Sequence, residues 1–405
     1  MKHFIAYKFN RWVYVRPIGD TLAFYDSRDK HFRYVNSMGR MIFEETRSND
    51  SLASLCERLH RRFSNVDVAM LQRDVRTFVD RFTGVVQNIG RSFIHSFEEA
   101  EDVDSFKHAT EHYIQQGKPL EVGIELTGLC NCACVHCYLP RAKFQWTPEQ
   151  FAKVAADLQQ ENALFISLTG GEIFLNRGIW EILNISTKHF PTALLTNGTL
   201  FNDEKIHRLA KYPLECVNIS IYGHSSNVHD AVTKVKGSYE RTMNTVRKLK
   251  SLGVNVWGRY VLMKNNIHDF ESFCVGWQRE GLPYNVTYQL QNDYNNKIDV
   301  QCLRVSPTQI AHFIRTGLLK PPREKYCFAG ITKCRINHQG DFYACELLPI
   351  SNGNVHLDGF SRVWQKSNKR PRPTSSGCPG FGYLEHGNFK ENYTYTSKIL
   401  EAVNA

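Results

Sequence analysis

Between residues 118 and 305 the chain alternates strand-like and helix-like patterns, and this alternation restricts the fold more than any other feature. Candidate strands are Glu121–Thr127, Leu164–Leu168, Thr192–Thr196, Cys216–Tyr222, Val254–Met263 and Val286–Leu290, with helical patterns between them. Thr147-Pro148-Glu149-Gln150 offers a cap, a proline at the first helical position and a capping-box glutamine. The helical run from Tyr239 to Leu252 stops at Gly253. Strand–helix alternation of this kind builds a parallel sheet with right-handed crossovers. About six repeats are visible, fewer than the eight of a closed barrel. The expected core is therefore an α/β fold, an open, partial (β/α)6 barrel.

The flanks differ. Residues 1–92 begin with β-rich runs, Ile5 to Tyr25 and His31 to Val35, broken at Pro17-Ile18-Gly19-Asp20 and Asp26-Ser27-Arg28-Asp29. Helical patterns follow near Ser37, over Ser51 to Phe63 and over Asp67 to Phe82. Three strands and three helices predict a winged-helix-like α+β module. Residues 93–117 are polar and acidic (Glu98, Glu99, Glu101, Asp102, Asp104) and read as a linker. Residues 306–405 open on a capped helix at Ser306-Pro307-Thr308-Gln309 and then carry cysteines with little regular pattern.

No stretch of the 405 residues approaches the ~20 consecutive apolar residues of a membrane span. The first twelve residues, Met1 to Trp12, alternate polar and apolar types, unlike a secretory signal. A cytoplasmic location is expected, with no membrane partner. The net charge of +10 is spread along the chain, its densest clusters being Arg61-Arg62 and Lys366 to Arg372. It reads as a solvated surface, so no nucleic-acid partner is expected. Twelve cysteines are many for a reducing compartment, where a disulfide scaffold does not form. Their uneven grouping points to metal.

Cys130, Cys134 and Cys137 make C-x3-C-x2-C just after the first candidate strand, with His136 before the last cysteine and Tyr138 after it. Three thiolates on a short loop can hold three irons of a cubane cluster and leave the fourth open for a ligand, unlike a closed electron-transfer cluster with four thiolates. A zinc knuckle is the alternative. It needs a fourth ligand, for which His136 or Cys132 is available. Cys132 lies off the spacing and reads as a spare thiol.

This loop resembles that of the radical S-adenosylmethionine superfamily. The resemblance implies that Cys130, Cys134 and Cys137 bind a 4Fe-4S cluster, whose open iron chelates the amino and carboxylate groups of S-adenosylmethionine. Reductive cleavage would then release a 5′-deoxyadenosyl radical. Thr169-Gly170-Gly171-Glu172 ends the second strand, where the family carries a G-G-E motif for the methionine amino group, so Gly170, Gly171 and Glu172 are expected cofactor contacts. Asn197, Ser220, Arg259 and Asn265, at or near the C-terminal ends of later strands, are expected to join them, with Ser220 and Arg259 at the ribose and Asn265 near the adenine. His229-Asp230 and Thr233 with Gly237-Ser238 resemble the peptide-modifying branch.

The third region carries Cys327, Cys334 and Cys345 and then Cys378; Cys327, Gly340 and Cys345 fit C-x12-G-x4-C. Four thiolates suit a fully ligated cluster, and the pattern resembles the iron–sulfur "twitch" extension, a shorter relative of the SPASM domain. A further C-x2-C-x5-C-x3-C run is absent from the sequence, so one auxiliary 4Fe-4S cluster is expected. Structural zinc is the alternative. The first module resembles a leader-peptide recognition element, in which a leader adds a strand to the sheet edge; Phe24 to Val35 and Leu71 to Phe82 would form its groove.

The resemblance as a whole implies a maturase of a ribosomally made precursor peptide, most like the Xye-type maturases that form cyclophane crosslinks. Its partners would be the precursor peptide and an electron donor such as flavodoxin or ferredoxin. Thioether formation and epimerisation use the same scaffold. A formylglycine-generating sulfatase maturase and a non-enzymatic, zinc-containing peptide-binding protein are the other readings. No residue stands out as the base that finishes the reaction.

Overall fold

The computed structural model describes residues 4–5, 11–28, 30–35, 37–45, 50–62, 67–76, 104–288, 290, 300–321, 328–345, 350–368 and 394–404. They fall into two compact units, Met1–Gln116 and Gly117–Ala405.

In the first unit, β1 (Val13–Ile18), β2 (Thr21–Asp26) and β3 (His31–Val35) form an antiparallel sheet in that order. Gly19, at φ +59°, makes the two-residue turn between β1 and β2. Leu22, Phe24 and Val35 bury one face against Phe43 of α1 (Ser37–Glu45). Helix α2 (Leu52–Arg62) buries Leu55, Cys56 and Leu59. Residues 68–76 are helical, with Leu71 and Val75 buried and Val68 exposed; the remainder of that expected helix, to Phe82, lies outside the described residues. One expectation is corrected. Part of the segment read as a linker is a helix, α3 (Asp104–Gln116). Ala109 and Tyr113, four residues apart on one face, are fully buried, and Phe106 and His108 meet Phe32 and Tyr34 of β3 at 5.9 and 5.3 Å between ring centroids. Acidic composition signalled a linker, but the apolar spacing further on prevails.

The second unit holds the barrel. Its strands are β4 (Glu121–Glu125), β5 (Phe165–Thr169), β6 (Thr192–Thr196), β7 (Leu214–Ile221), β8 (Val256–Val261) and β9 (Tyr284–Thr287). All six pair in parallel, in sequence order, as the alternation predicts. The helices between are α4 (Pro148–Gln160), α5 (Ile179–His189), α6 (Asp203–Leu209), α7 (Ser226–Thr233), α8 (Ser238–Ser251) and α9 (Phe270–Arg279). Both halves of the Thr147–Gln150 capping box are present. Val122, Ile124, Ile166 and Leu168 on the outer face of the sheet pack against Phe151, Leu158, Ile182 and Leu183 of the helices.

The third region continues the same sheet. After α10 (Pro307–Arg315), β10 (Lys333–Ile336) pairs in parallel with β4, and β11 (Asp341–Tyr343) and β12 (Ser351–Asn354) follow antiparallel. Helix α11 (Phe360–Asn368) adds Phe360 and Trp364 to the barrel core, and α12 (Thr394–Asn404) adds Tyr395 and Ile399. Among the described residues no helix is long and apolar enough to cross a membrane.

Candidate active site

Strand β4 continues past Glu125 through Leu126, whose N–H donates to Thr169 O of β5, and then gives way to the Cys130–Cys137 loop. Neighbouring strand ends hold this loop on several sides. Gly171 N–H donates to Thr127 O at 2.8 Å and Glu172 N–H to Leu129 O at 2.7 Å. Ala133 N–H donates to Thr233 O and Val135 N–H to Val232 O, both at the end of α7. Arg141 donates to Cys132 O at 2.6 Å. Asn131 donates to Thr199 Oγ1 and accepts from Asn197 Nδ2.

The glycine pair serves this contact. A Cβ on Gly171 would stand 2.1 Å from Leu129 O; one on Gly170, which has φ +138°, would stand 2.6 Å from Thr127 O. Only glycine lets β5 end so close against the cysteine loop. The Glu172 carboxylate is fully buried and already engaged. It accepts from Thr196 Oγ1, Phe174 N–H and Asn197 N–H at 2.7, 3.1 and 2.7 Å. Burial outweighs these bonds and pushes its pKa up to about 7. Glu172 therefore ties β5 to β6 beneath the loop. Asn197 does similar work, since its side chain also accepts from Thr199 N–H and Oγ1.

Ser220 and Arg259 face each other across β7 and β8 in register. Arg259 is exposed within a strand that is otherwise largely buried, so the inner face of the sheet opens there. Asn265 is exposed beyond β8. Its neighbour Asn266, which sequence reading passed over, is buried and donates to Tyr222 O and Val261 O. His229 accepts from Tyr222 N–H. Asp230 accepts from Gly237 N–H, Ser238 Oγ and Tyr239 N–H. Asp230 thus builds the α7–α8 turn beside the loop, while His229 ties α7 to the end of β7.

The thiols of Cys130, Cys134 and Cys137 stand close enough to oppose one another's ionisation. A hydrogen bond from Cys132 brings Cys130 down to about 6, whereas burial pushes Cys134 up to about 12. Among the described residues no three His, Cys, Asp or Glu side chains converge on one ion. In a cubane each thiolate takes its own iron, and one loop with three thiolates supplies three such ligands. The donor set fits the cluster.

Sequence reading missed a buried polar group on the inner face. Arg335 of β10 pairs with Glu125 of β4 and bonds Tyr138 Oη, and its guanidinium lies 5.0 Å from the Tyr138 ring centroid. His338 Nδ1 is 3.5 Å from Glu125 Oε2. Burial alone would raise the Glu125 pKa, but Arg335 and His338 hold it below the ordinary value. The signal was the charged residue in "GIELTG", which interrupts an apolar strand.

Two of the four expected auxiliary ligands, Cys334 and Cys345, lie among the described residues. Cys334, in register with Val122, lies in the outer apolar core, and burial pushes its thiol well up. This placement speaks against its expected role as a ligand, because strand alternation sets it on the face opposite Arg335. Cys345 is half-buried just after β11. Cys327 and Cys378 lie outside the described residues.

Residues 124–274 match the family model of the Radical SAM superfamily. The chain is 29% identical over 296 residues to the antilisterial bacteriocin subtilosin biosynthesis protein AlbA of Bacillus subtilis, a match covering 65% of this chain and 66% of AlbA. It is 25% identical to the mycofactocin maturase MftC of Mycolicibacterium smegmatis, covering 66% of this chain and 76% of MftC. The structure of Streptococcus suis SuiB bound to precursor peptide SuiA shares the fold, with a TM-score of 0.62 at 14% identity over 98% of this chain and 99% of SuiB. The second unit thus has the α/β fold of radical SAM enzymes and matches their family model over residues 124–274, and its likeness is to enzymes that use S-adenosylmethionine with a 4Fe-4S cluster. Its similarity is to proteins of peptide biosynthesis and maturation, AlbA and MftC, and also to an AdoMet-dependent heme synthase.

Proposed function

We propose that this enzyme matures a ribosomally made precursor peptide by removing a side-chain hydrogen atom and closing a crosslink, a cyclophane C–C bond between an aromatic ring and a nearby β-carbon. The observation that carries the reading is the cysteine loop, braced at the C-terminal edge of the sheet beside an open inner face. The likeness to peptide maturases supports the peptide as substrate.

Cys130, Cys134 and Cys137 would hold the cluster, which with S-adenosylmethionine supplies a 5′-deoxyadenosyl radical. The chain's own part is positional. Asn131, Asn197 and Glu172 fix the loop against β5 and β6. Ser220, Arg259 and Asn265 offer polar groups along the opened edge. Gly170 and Gly171 would offer backbone to the cofactor's amino group. Cys345, with Cys327 and Cys378, would ligate one auxiliary cluster as electron acceptor. The three-stranded sheet and adjoining helices of the first unit suit a leader recognition element, with the leader adding a strand to the sheet edge. Tethering the leader raises the effective concentration of a weakly bound core peptide. The electron donor is a flavodoxin or ferredoxin, and the chain works in the cytoplasm.

The test uses anaerobically reconstituted protein, S-adenosylmethionine, a strong reductant and the small peptide encoded beside the gene, read by mass spectrometry. Loss of two hydrogens with matching 5′-deoxyadenosine supports a crosslink, and fragmentation locates it. Unchanged mass with solvent deuterium incorporation replaces it with epimerisation. A Cys–Cα linkage in the fragments means a thioether. Iron and sulfide with brown absorbance exclude the zinc-containing carrier.

A further inference from the structure

The radical SAM chemistry assigned to the loop starts only when an electron reaches its cluster from outside the protein. We infer that the turn at residues 234–237, together with Arg241, is the docking surface for a small acidic protein that carries one electron at low potential. The inference rests on the radical SAM reading of the loop and goes beyond it by locating where the electron enters.

The first argument is connectivity. Val232 and Thr233, which lead into the turn, accept backbone hydrogen bonds from Val135 and Ala133 at 3.1 and 2.9 Å. Those two residues flank Cys134. Ala133 is itself exposed, so the cysteine loop reaches the surface beside this turn. A carrier seated here stands one hydrogen-bonded backbone layer from a cluster ligand.

The second argument is charge. Lys234, Lys236 and Arg241 are exposed. None makes an ion pair among the described residues, and Arg241 reaches only Lys236 O, at 3.5 Å. On the same helix Arg247 is paired with Glu280 and Lys248 with Asp203. The charges nearest the loop are thus uncompensated by a pair, although Glu240 lies exposed among them. Surface lysines ordinarily mark a solvated face, but uncompensated charge of one sign steers an oppositely charged partner. Redox encounters bury little surface and depend on such steering.

The third argument is shape. Lys234 at φ +61° and Gly237 at φ +73° make the turn, Asp230 accepts from Gly237 N–H and from Ser238 Oγ and Tyr239 N–H at the start of α8, and Thr233 Oγ1 bonds Ser238 Oγ at 2.7 Å. The basic groups stand on a fixed platform. In the transfer one electron leaves the carrier, which is oxidised, and enters the cluster, which is reduced; no bond forms.

The test follows bleaching of the cluster absorbance in the full-length, anaerobically reconstituted protein mixed with reduced flavodoxin at low ionic strength. Lys236→Glu with Arg241→Glu is expected to slow reduction by about tenfold or more, and added salt to bring the wild type down toward the variant. Photoreduced deazaflavin, a small reductant, is expected to reduce both at one rate, which also reports an intact fold and cluster. Lys153→Glu with Lys188→Glu changes the net charge equally on α4 and α5. Equal slowing by the two charge reversals overturns the docking site. If deazaflavin with S-adenosylmethionine yields no 5′-deoxyadenosine from the wild type, the radical SAM reading itself fails and the docking site falls with it.

Discussion

The loop carrying Cys130, Cys134 and Cys137 and the strand carrying Cys334 both belong to cysteine groups with metal-like spacing, yet the fold treats them differently. The loop leaves β4 at the C-terminal edge of the sheet, where α/β sheets bind ligands, and its backbone is held by β5, β6 and the end of α7. Cys334 sits inside β10, where pleating sends it into the outer apolar layer with Ile336. Spacing identifies metal chemistry where the chain is free to gather thiols. Inside a strand the alternation of faces decides instead.

The largest expected effect separates the two directly. Cys134→Ala should abolish 5′-deoxyadenosine formation and remove roughly four irons per chain, measured by chromatography and metal analysis; retained cleavage would break the comparison at its stronger side. A smaller effect comes from the other face of β10. Arg335→Leu leaves Glu125 buried without its cation and should cost about 3–5 kcal/mol in urea unfolding. Restoring neutrality with Glu125→Gln in the same chain should recover part of that loss, because the penalty belongs to the stranded charge.

Beneath the loop, Glu172 gives a pH signature. Its folded pKa of about 7 lies above the ordinary 4.5, so the folded chain holds this proton more tightly than the unfolded chain. Stability contributed here is greatest below pH 4.5 and falls as pH rises through 7, by about 3 kcal/mol. Glu172→Gln should remove this slope in cluster-free protein, and an unaltered slope would assign it to other groups. Cys334→Ala should cost only about 1–2 kcal/mol and leave iron content unchanged, whereas Cys345→Ala should lose iron. Loss of iron from Cys334→Ala would return that thiol to the auxiliary set.

Much of this was readable beforehand, for local reasons. Six strands, the Thr147 cap and the Gly253 stop depend on patterns within a few residues. The cysteine loop is equally local. What escaped depends on partners far along the chain: Glu125 meets Arg335 only because β10 returns beside β4. The fate of Cys334 required knowing which face of β10 turns outward, and a short strand with neighbours buried on both faces shows no alternation (Cys334, Arg335 and Ile336 are all buried). Helix α3 was hidden by the acidic residues before it. Glu172 and Asn197 were legible as site residues, and their hydrogen bonds add that they brace the loop.

The smallest effect tests whether scaffold and site are separable. Helix α4 follows the cysteine loop directly, and its start is held by Thr147 Oγ1 accepting from Gln150 N–H at 3.2 Å. Thr147→Ala removes that acceptor and should cost about 1 kcal/mol of stability. It touches none of the bonds that brace Cys130 to Cys137, which come from β5, β6, α7 and Arg141. Iron content and 5′-deoxyadenosine yield should therefore hold while the unfolding midpoint drops. A parallel loss of iron would mean that the loop draws its order from α4, and that local bracing does not by itself set the thiols in place.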